Sequence, residues 1–470
     1  MNSNIKLYFA SALVLAPMTL VAKSNKAERP NVIIILCDDL GSNDVGFRGC
    51  TDIATPHIDR IANEGVDCRD AYISAPYSGP SRCGLFTGRY QQRFGGEENI
   101  IDNAAAIEQG HGVPTDELMM TEMMKAQGYK TAVIGKWHMG NDAAHTPMSR
   151  GTDYYYGFHA GSYNYWGIPN PQVVSEGTIM ENHRPVPASE VSYLTDDFTD
   201  KTVDFINKNA DENFFVYLSY NAPHSPFQAI PEYLDRTTHI YDPWRSVYAA
   251  MILAVDDGVG KIWESLEANG IDDNTMIIFL SDNGGINLAD NSPRRAWKGN
   301  MYEGGISTPF AIYWKGVLQG GKRYDHYISA LDIFPTVAVA AGADISKFEK
   351  PLDGVDLIPH LRGKKKSQPH ETLFWRTCGG FEWAVRTGDY KLVKSNFSDT
   401  PQLFNLKKDI GESTDISSEY PELVATMSAD FNSWSSQMVE PAWHDPHKVN
   451  QVKDYNDWVK YRKRSLRPTK

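Results

Sequence analysis

Four short apolar runs constrain this chain more than any other feature. "NVIIILCDDL" is apolar from Val32 to Cys37 and stops at Asp38 and Asp39, and "YKTAVIGKWHMG" stops at Lys136 and His138. "NFFVYLSYNAPHSP" leads to His224, and "NTMIIFLSDNGG" ends at Asp282 and Asn283. Runs rich in β-branched residues, with no polar alternation, suit strands covered on both faces. Helix-like stretches at 115–127, 196–209 and 246–269 lie among them. Strands alternating with helices predict an α/β fold, a doubly wound and mostly parallel sheet with right-handed crossovers. Ligands of such sheets bind beyond the carboxyl ends of the strands, so all four polar clusters fall on the binding edge.

Taken singly, Asp-Asp or Asp-Asn-Gly after a strand is ordinary turn chemistry, and a lone lysine or histidine is a solvated charge or a core hydrogen-bonder. Four such clusters on one edge read differently. The oxygens of Asp38, Asp39, Asp282 and Asn283 would repel one another without a hard cation among them, and an all-oxygen set favours calcium or magnesium over zinc. Lys136, His138, His224 and Lys298, the last in "RRAWKGNMYEGGISTPF", add an anion pocket with imidazoles able to exchange protons near neutral pH. The stretch "APYSGPSRCGLFTGRY" then acquires a role. Ser78 starts a helix, where the field attracts anions, and Arg82 lies four residues on along the same face. An oxygen nucleophile, a metal and an anion cradle together ask for phosphoryl or sulfuryl transfer.

At these residues the chain resembles the formylglycine-dependent (type I) sulfatases of the alkaline phosphatase superfamily. Their maturation signature is cysteine or serine, any residue, proline or alanine, serine, arginine, and it reads here Ser78-Gly79-Pro80-Ser81-Arg82, with Leu85 and Gly88-Arg89 following as expected. "NVIIILCDDLG", "GKWHMG", "APHSPF", "SDNGG" and "KGNMYEGGISTP" follow in the family's order, and the likeness runs on to "YKLV" and "QLFNLKKDIGE". The resemblance implies that a maturase oxidises Ser78 to formylglycine (3-oxoalanine), whose hydrate attacks sulfur and later expels sulfate by collapsing to the aldehyde. It implies calcium on Asp38, Asp39, Asp282, Asn283 and the modified Ser78, and sulfate oxygens on Lys136 and Lys298. Arg82 would steady the hydrate and the metal carboxylates. His138 would take the hydrate proton, and His224 would protonate the leaving oxygen, shared with Lys298. Serine in place of the commoner cysteine is a departure; it can be oxidised to the same aldehyde, and a serine left unmodified would halt turnover.

The chain has 470 residues, enough for a large domain and a smaller one. Residues 27–365 form the expected catalytic domain. Beyond the Lys364, Lys365, Lys366 run, 366–470 form a C-terminal α+β unit: an antiparallel sheet with Gly-Gly and Thr-Gly-Asp turns, a helix at "PELVATMSADFNSW" and a basic tail. The start, 1–24, has Lys6, an uncharged apolar stretch and small residues near Ala22, which reads as a signal peptide for the periplasm or export. A formal charge of −13 argues against non-specific nucleic-acid binding. The five cysteines, irregularly spaced, show neither a zinc site nor a disulfide scaffold. In "DYYYGFHAGSYNYW", Tyr163, Tyr165 and Trp166 are the candidates to stack on sugars, and Arg294, Arg295, Glu97, Glu98 and Asn99 are candidates for shaping specificity. The expected substrate is a sulfated carbohydrate such as a carrageenan-type galactan, attacked at a chain end. A phosphomonoesterase or phosphodiesterase and a non-catalytic glycan-binding protein are the alternatives; the first lacks a second set of zinc ligands here.

Overall fold

A computed structural model of the chain describes residues 29–445 except 102–103, 168–177, 397 and 399. The expected signal peptide and the basic tail beyond 445 lie outside the described residues. The four apolar runs are strands: β1 (Asn31–Cys37), β2 (Lys130–Lys136), β3 (Phe214–Ser219) and β4 (Thr275–Ser281). They sit side by side, in the order β4-β1-β3-β2, at the centre of a ten-stranded sheet and pair in parallel. Tyr154–Phe158 continues the parallel set beside β2, while Phe310–Trp314 runs antiparallel to β4.

Alternate residues of β1 go to opposite faces. Val32, Ile34 and Leu36 join a core with the helices Ser78–Thr87, Met120–Ala126 and Ile333–Ala340. Ile33, Ile35 and Cys37 join another with Pro56–Asn63, Leu194–Lys208 and Pro243–Ala268. Double coverage is why these strands carry no polar alternation. It is also why the strand ends line up: Cys37 is opposite Ser281, the Asp282 amide donates to the Cys37 carbonyl at 3.0 Å, and the Asp38 amide donates to Ala222 O at 3.1 Å. Gly135 in β2 has φ of 104°, and a side chain there would run into the Ser219 carbonyl, so β3 can approach only a glycine.

Thr372–Thr377, Glu382–Thr387, Tyr390–Lys394 and Gln402–Asn405 form a separate antiparallel sheet. One face packs on the helix Pro421–Ser435 through Val385, Leu392, Met427 and Phe431. The other contributes Trp375, Ala384, Val393 and Phe404 to the first core of the large sheet. Of the helical stretches read from sequence, 196–209 and 246–269 correspond to Leu194–Lys208 and Pro243–Ala268. The expected 115–127 helix is shorter, Met120–Ala126, because Pro114 leads a turn in which the Glu117 amide returns to the Pro114 carbonyl at 3.0 Å. No helix among the described residues is long and apolar enough to cross a membrane.

Candidate active site

The parallel register brings Asp38, Asp39, Lys136, Asp282 and Asn283 to one edge, and two loops add His224 and Lys298. The helix Ser78–Thr87 points its first turn at them, with Ser78 its first residue and every side chain buried. Ser78 Oγ lies 3.1 Å from both Asp38 Oδ1 and Asn283 Oδ1. A hydroxyl carries one hydrogen, so it donates to one of these oxygens at a time. The Gly79 amide is held by Asn99 Oδ1 at 3.1 Å, which anchors the first turn.

Charge is balanced pair by pair. Arg82 is fully buried; its Nε and Nη2 donate to Asp282 Oδ2 at 3.0 and 2.7 Å, and Nη1 reaches Ser219 Oγ at 2.5 Å. Lys136 Nζ sits 2.5 Å from Asp38 Oδ2, and Lys298 Nζ 2.6 Å from Asp39 Oδ1. Burial alone would raise the Asp38 and Asp39 carboxyls, but the lysines, with His224 beside them, outweigh it and hold both below the usual carboxylate range, Asp38 at about 2. Burial likewise pulls the Lys136 ammonium down, against the pull of Asp38.

The two histidines are poised differently. His138 is buried, at φ of 60°, with Nε2 at 3.2 Å from the Ile100 carbonyl and Nδ1 without a partner among the described residues. A carbonyl only accepts, so Nε2 carries the hydrogen and Nδ1 a free lone pair. Burial, followed by the Lys136 and Arg82 charges, drives its pKa well below the ordinary imidazole value. His224 is partly open, donates from Nδ1 to Ser225 O at 2.6 Å, and turns Nε2 to within 3.7 Å of Asp39 Oδ2.

Ser78 Oγ thus links the oxygens of Asp38 and Asn283, and Asp282 Oδ1 accepts the Asp39 amide at 3.3 Å. Asp38, Asp39 and His224 also bring ligand atoms within 4.8 Å of one another. Two carboxylates beside one imidazole, with the oxygens of Ser78 and Asn283 next to Asp38, make an oxygen-rich donor set, the chemistry that suits a hard cation such as calcium.

Several sequence candidates lie elsewhere. Tyr163 and Tyr165 are buried core residues, at 1% and 0% exposure, so they are not sugar platforms. Tyr165 OH instead lies 2.8 Å from the carbonyls of both Asn221 and His224, donating its one hydrogen to one of them at a time, and holds the His224 loop. Trp166 is partly covered and leans on Tyr193. Glu97 is buried against Arg376, and Glu98 accepts the Asp445 amide at 2.6 Å, so both tie the C-terminal segment down and leave specificity to others. Arg295 donates to Glu412 O at 2.9 Å and stacks over Tyr302. Sequence reading missed Ser219, Tyr217 and the Ile100 carbonyl. Ser219 carried the same signal as the others, a polar residue closing an apolar run; a backbone carbonyl carries none.

A helix that starts at a buried serine, three carboxylates and three cations on the carboxyl edge of such a sheet are the arrangement of the alkaline phosphatase superfamily. Within it the chain belongs to the sulfatase family, whose model, Sulfatase, matches residues 30–343. It is 33% identical over 404 residues to the uncharacterized sulfatase YdeN of Escherichia coli (strain K12), covering 74% of this chain and 69% of that one. It is 31% identical over 398 residues to N-acetylgalactosamine-6-sulfatase of Mus musculus, covering 81% and 74%. The crystal structure of Ps i-CgsB in complex with k-i-k-neocarrahexaose superposes with a TM-score of 0.84 at 36% identity, over 91% of this chain and 98% of that chain. The chain is a sulfuric ester hydrolase.

Proposed function

We propose that the chain is a calcium-dependent, formylglycine-type sulfatase acting on a sulfated galactan of the carrageenan kind. The observation that carries the substrate is the likeness, 36% identical over 91% of the chain, to a structure holding a neocarrahexaose. A leader at 1–24 would place the enzyme in the periplasm or outside the cell, where such polymers are met. The reading assigns the chemistry to a catalytic unit of 27–365 and a covering unit of 366–470.

Conversion of Ser78 by a maturase would supply a hydrated aldehyde oxygen for attack on sulfur, and calcium would supply positive charge beside it. Asp38, Asp39, Asp282 and Asn283 are the residues to hold that ion. The chain's own groups do the rest. Lys136 and Lys298 bind the sulfate oxygens and neutralise charge as the ester bond breaks, a role suited to point cations in a buried site. Arg82 fixes Asp282 and, through the shared helix, the position of Ser78. His138 accepts a proton at Nδ1, the nitrogen its Ile100 bond leaves free. His224 delivers a proton from Nε2, which faces Asp39 at 3.7 Å, to the departing sugar oxygen.

Two measurements test this. The mass of the Ser78 peptide, from protein made with a serine-type maturase, falls by two hydrogens if the residue is converted. Desulfation across a panel of defined sulfated oligosaccharides should favour carrageenan fragments, and activity confined to heparin or chondroitin fragments overturns the galactan reading.

A further inference from the structure

Beside the reaction centre lies a cavity of 270 Å3 that the chemistry above does not use, lined by Asn287, Asp290, Asn291, Ser292, Arg294 and Trp297 among others. Its floor is the loop between β4 and Lys298. That loop is fastened to the centre at both ends: the Gly284 amide donates to Gly305 O and the Lys298 amide to Gly285 O, each at 3.0 Å. Asn291 is spent inside it, accepting from the Gly285 amide at 3.1 Å and donating to Gly285 O at 3.0 Å. The cavity is thus built onto the catalytic frame.

Three lining groups have unused binding capacity. Among the described residues Arg294 Nε is buried without a hydrogen-bond partner and no carboxylate pairs with its guanidinium, in a chain where Asp and Glu outnumber Lys and Arg by 59 to 46. The exposed Asn287 amide makes no side-chain hydrogen bond among the described residues. Trp297, next to the catalytic-site Lys298, is 52% exposed. The lining carboxylate, Asp290, has Oδ1 turned onto the Ser292 amide at 2.8 Å. A free guanidinium binds a sulfate ester through paired N–H donors, an amide reads a sugar hydroxyl, and an indole face stacks on a pyranose ring.

We propose that this cavity is a second, non-reacting sulfate subsite: Arg294 holds the sulfate ester of the sugar adjacent to the one being desulfated, and Trp297 stacks on that sugar. The inference rests on the galactan reading, and it makes the enzyme selective for densely sulfated stretches. Arg294 and Trp297 touch no reacting atom, so they set selectivity and not the bond-breaking step.

The test compares two oligosaccharides of equal length, one sulfated only at the reacting position and one also sulfated on the neighbouring sugar. For Arg294→Ala the ratio of kcat/KM, doubly over singly sulfated, should fall about tenfold through a higher KM, as expected for a lost charge-assisted pair. Arg294→Lys should restore part of it, and Trp297→Ala should raise KM for both oligosaccharides but not for an aryl sulfate. An unchanged ratio in Arg294→Ala, or losses equal on both oligosaccharides, overturns the subsite. Wild-type enzyme that ignores galactans but desulfates another glycan of the panel sinks the galactan reading alone. The same ratio, measured on that glycan, then decides the subsite.

Discussion

Asp282 carries two charge-assisted hydrogen bonds from a guanidinium with no exposed surface, so its charge cannot be removed quietly. Asp282→Asn should leave Arg82 buried and under-neutralised, costing about 3 kcal/mol of stability as well as activity. Denaturant unfolding at neutral pH checks this, and a loss below 1 kcal/mol would show that Arg82 finds compensation elsewhere. Chelation should abolish turnover, and added calcium, not zinc, should restore it; zinc-only recovery would mean that His224, and not Asp282, completes the donor set. His224→Ala should slow a sugar sulfate roughly a hundredfold while slowing an activated aryl sulfate far less, because a good leaving group needs little proton donation. Equal losses on both substrates remove His224 from the role of acid.

Two helices show how position is handed from one element to the next. In Ser78–Thr87 the close approach of Asn99 to Gly79 leaves little room: a methyl there would sit 3.2 Å from Asn99 Oδ1 and 3.5 Å from His138 Cε1, on the turn that aims Ser78. Helix Pro243–Ala268 turns Asp256 to the start of Pro56–Asn63, where Oδ1 accepts the His57 and Ile58 amides at 3.0 and 2.8 Å while Oδ2 is unpaired. Burial, the largest influence, lifts the Asp256 carboxyl from 3.8 to about 7. An acid raised on folding contributes stability that is full below pH 3.8 and lost as pH climbs through 7. Asp256→Asn keeps the amide acceptor and removes the titration, so its stability relative to wild type should rise by about 3 kcal/mol between pH 5 and pH 8. A pH-independent difference between the two proteins would show that Asp256 stays ionised throughout. Both long helices at this face were readable from their apolar spacing, whereas Met120–Ala126 was over-extended, since turn chemistry at Pro114 stopped what the pattern of methionines continued.

The two sheets are joined by buried charge as well as by apolar contact. Lys391, on the antiparallel sheet, lies 2.9 Å from Glu303 and 3.0 Å from Glu412, and Glu303 follows the loop that carries Lys298. Burial raises the Glu412 carboxyl to about 7, with Lys391 opposing that rise. Lys391→Met should leave two buried carboxyls facing each other, lowering stability by about 3–5 kcal/mol and loosening the Lys298 loop. Calorimetry should show a lower transition temperature, with KM for sulfate esters rising alongside; an unaltered KM would limit the contact to holding the sheets together. Sequence periodicity marked Lys391 only as part of "YKLV", because nothing local tells a strand lysine that its partner lies 88 residues away.

The α/β class and the gathering of the four strands' polar endings on one sheet edge, with Ser78, Arg82, Lys136, His138, His224, Asp282 and Lys298 near it, were legible in the chain alone. Each depends on local chemistry: β-branched runs, a turn, or a charged side chain closing an apolar segment. Tertiary structure alone decided which aromatics face solvent, sending Tyr163 and Tyr165 into the core and leaving Trp297 outside. It also decided that Glu97 and Glu98 clamp the C-terminal segment and that Arg294 has no carboxylate partner among the described residues. Those outcomes follow from which surfaces meet across hundreds of residues, and burial and ion pairing are properties of the meeting, not of the residue type.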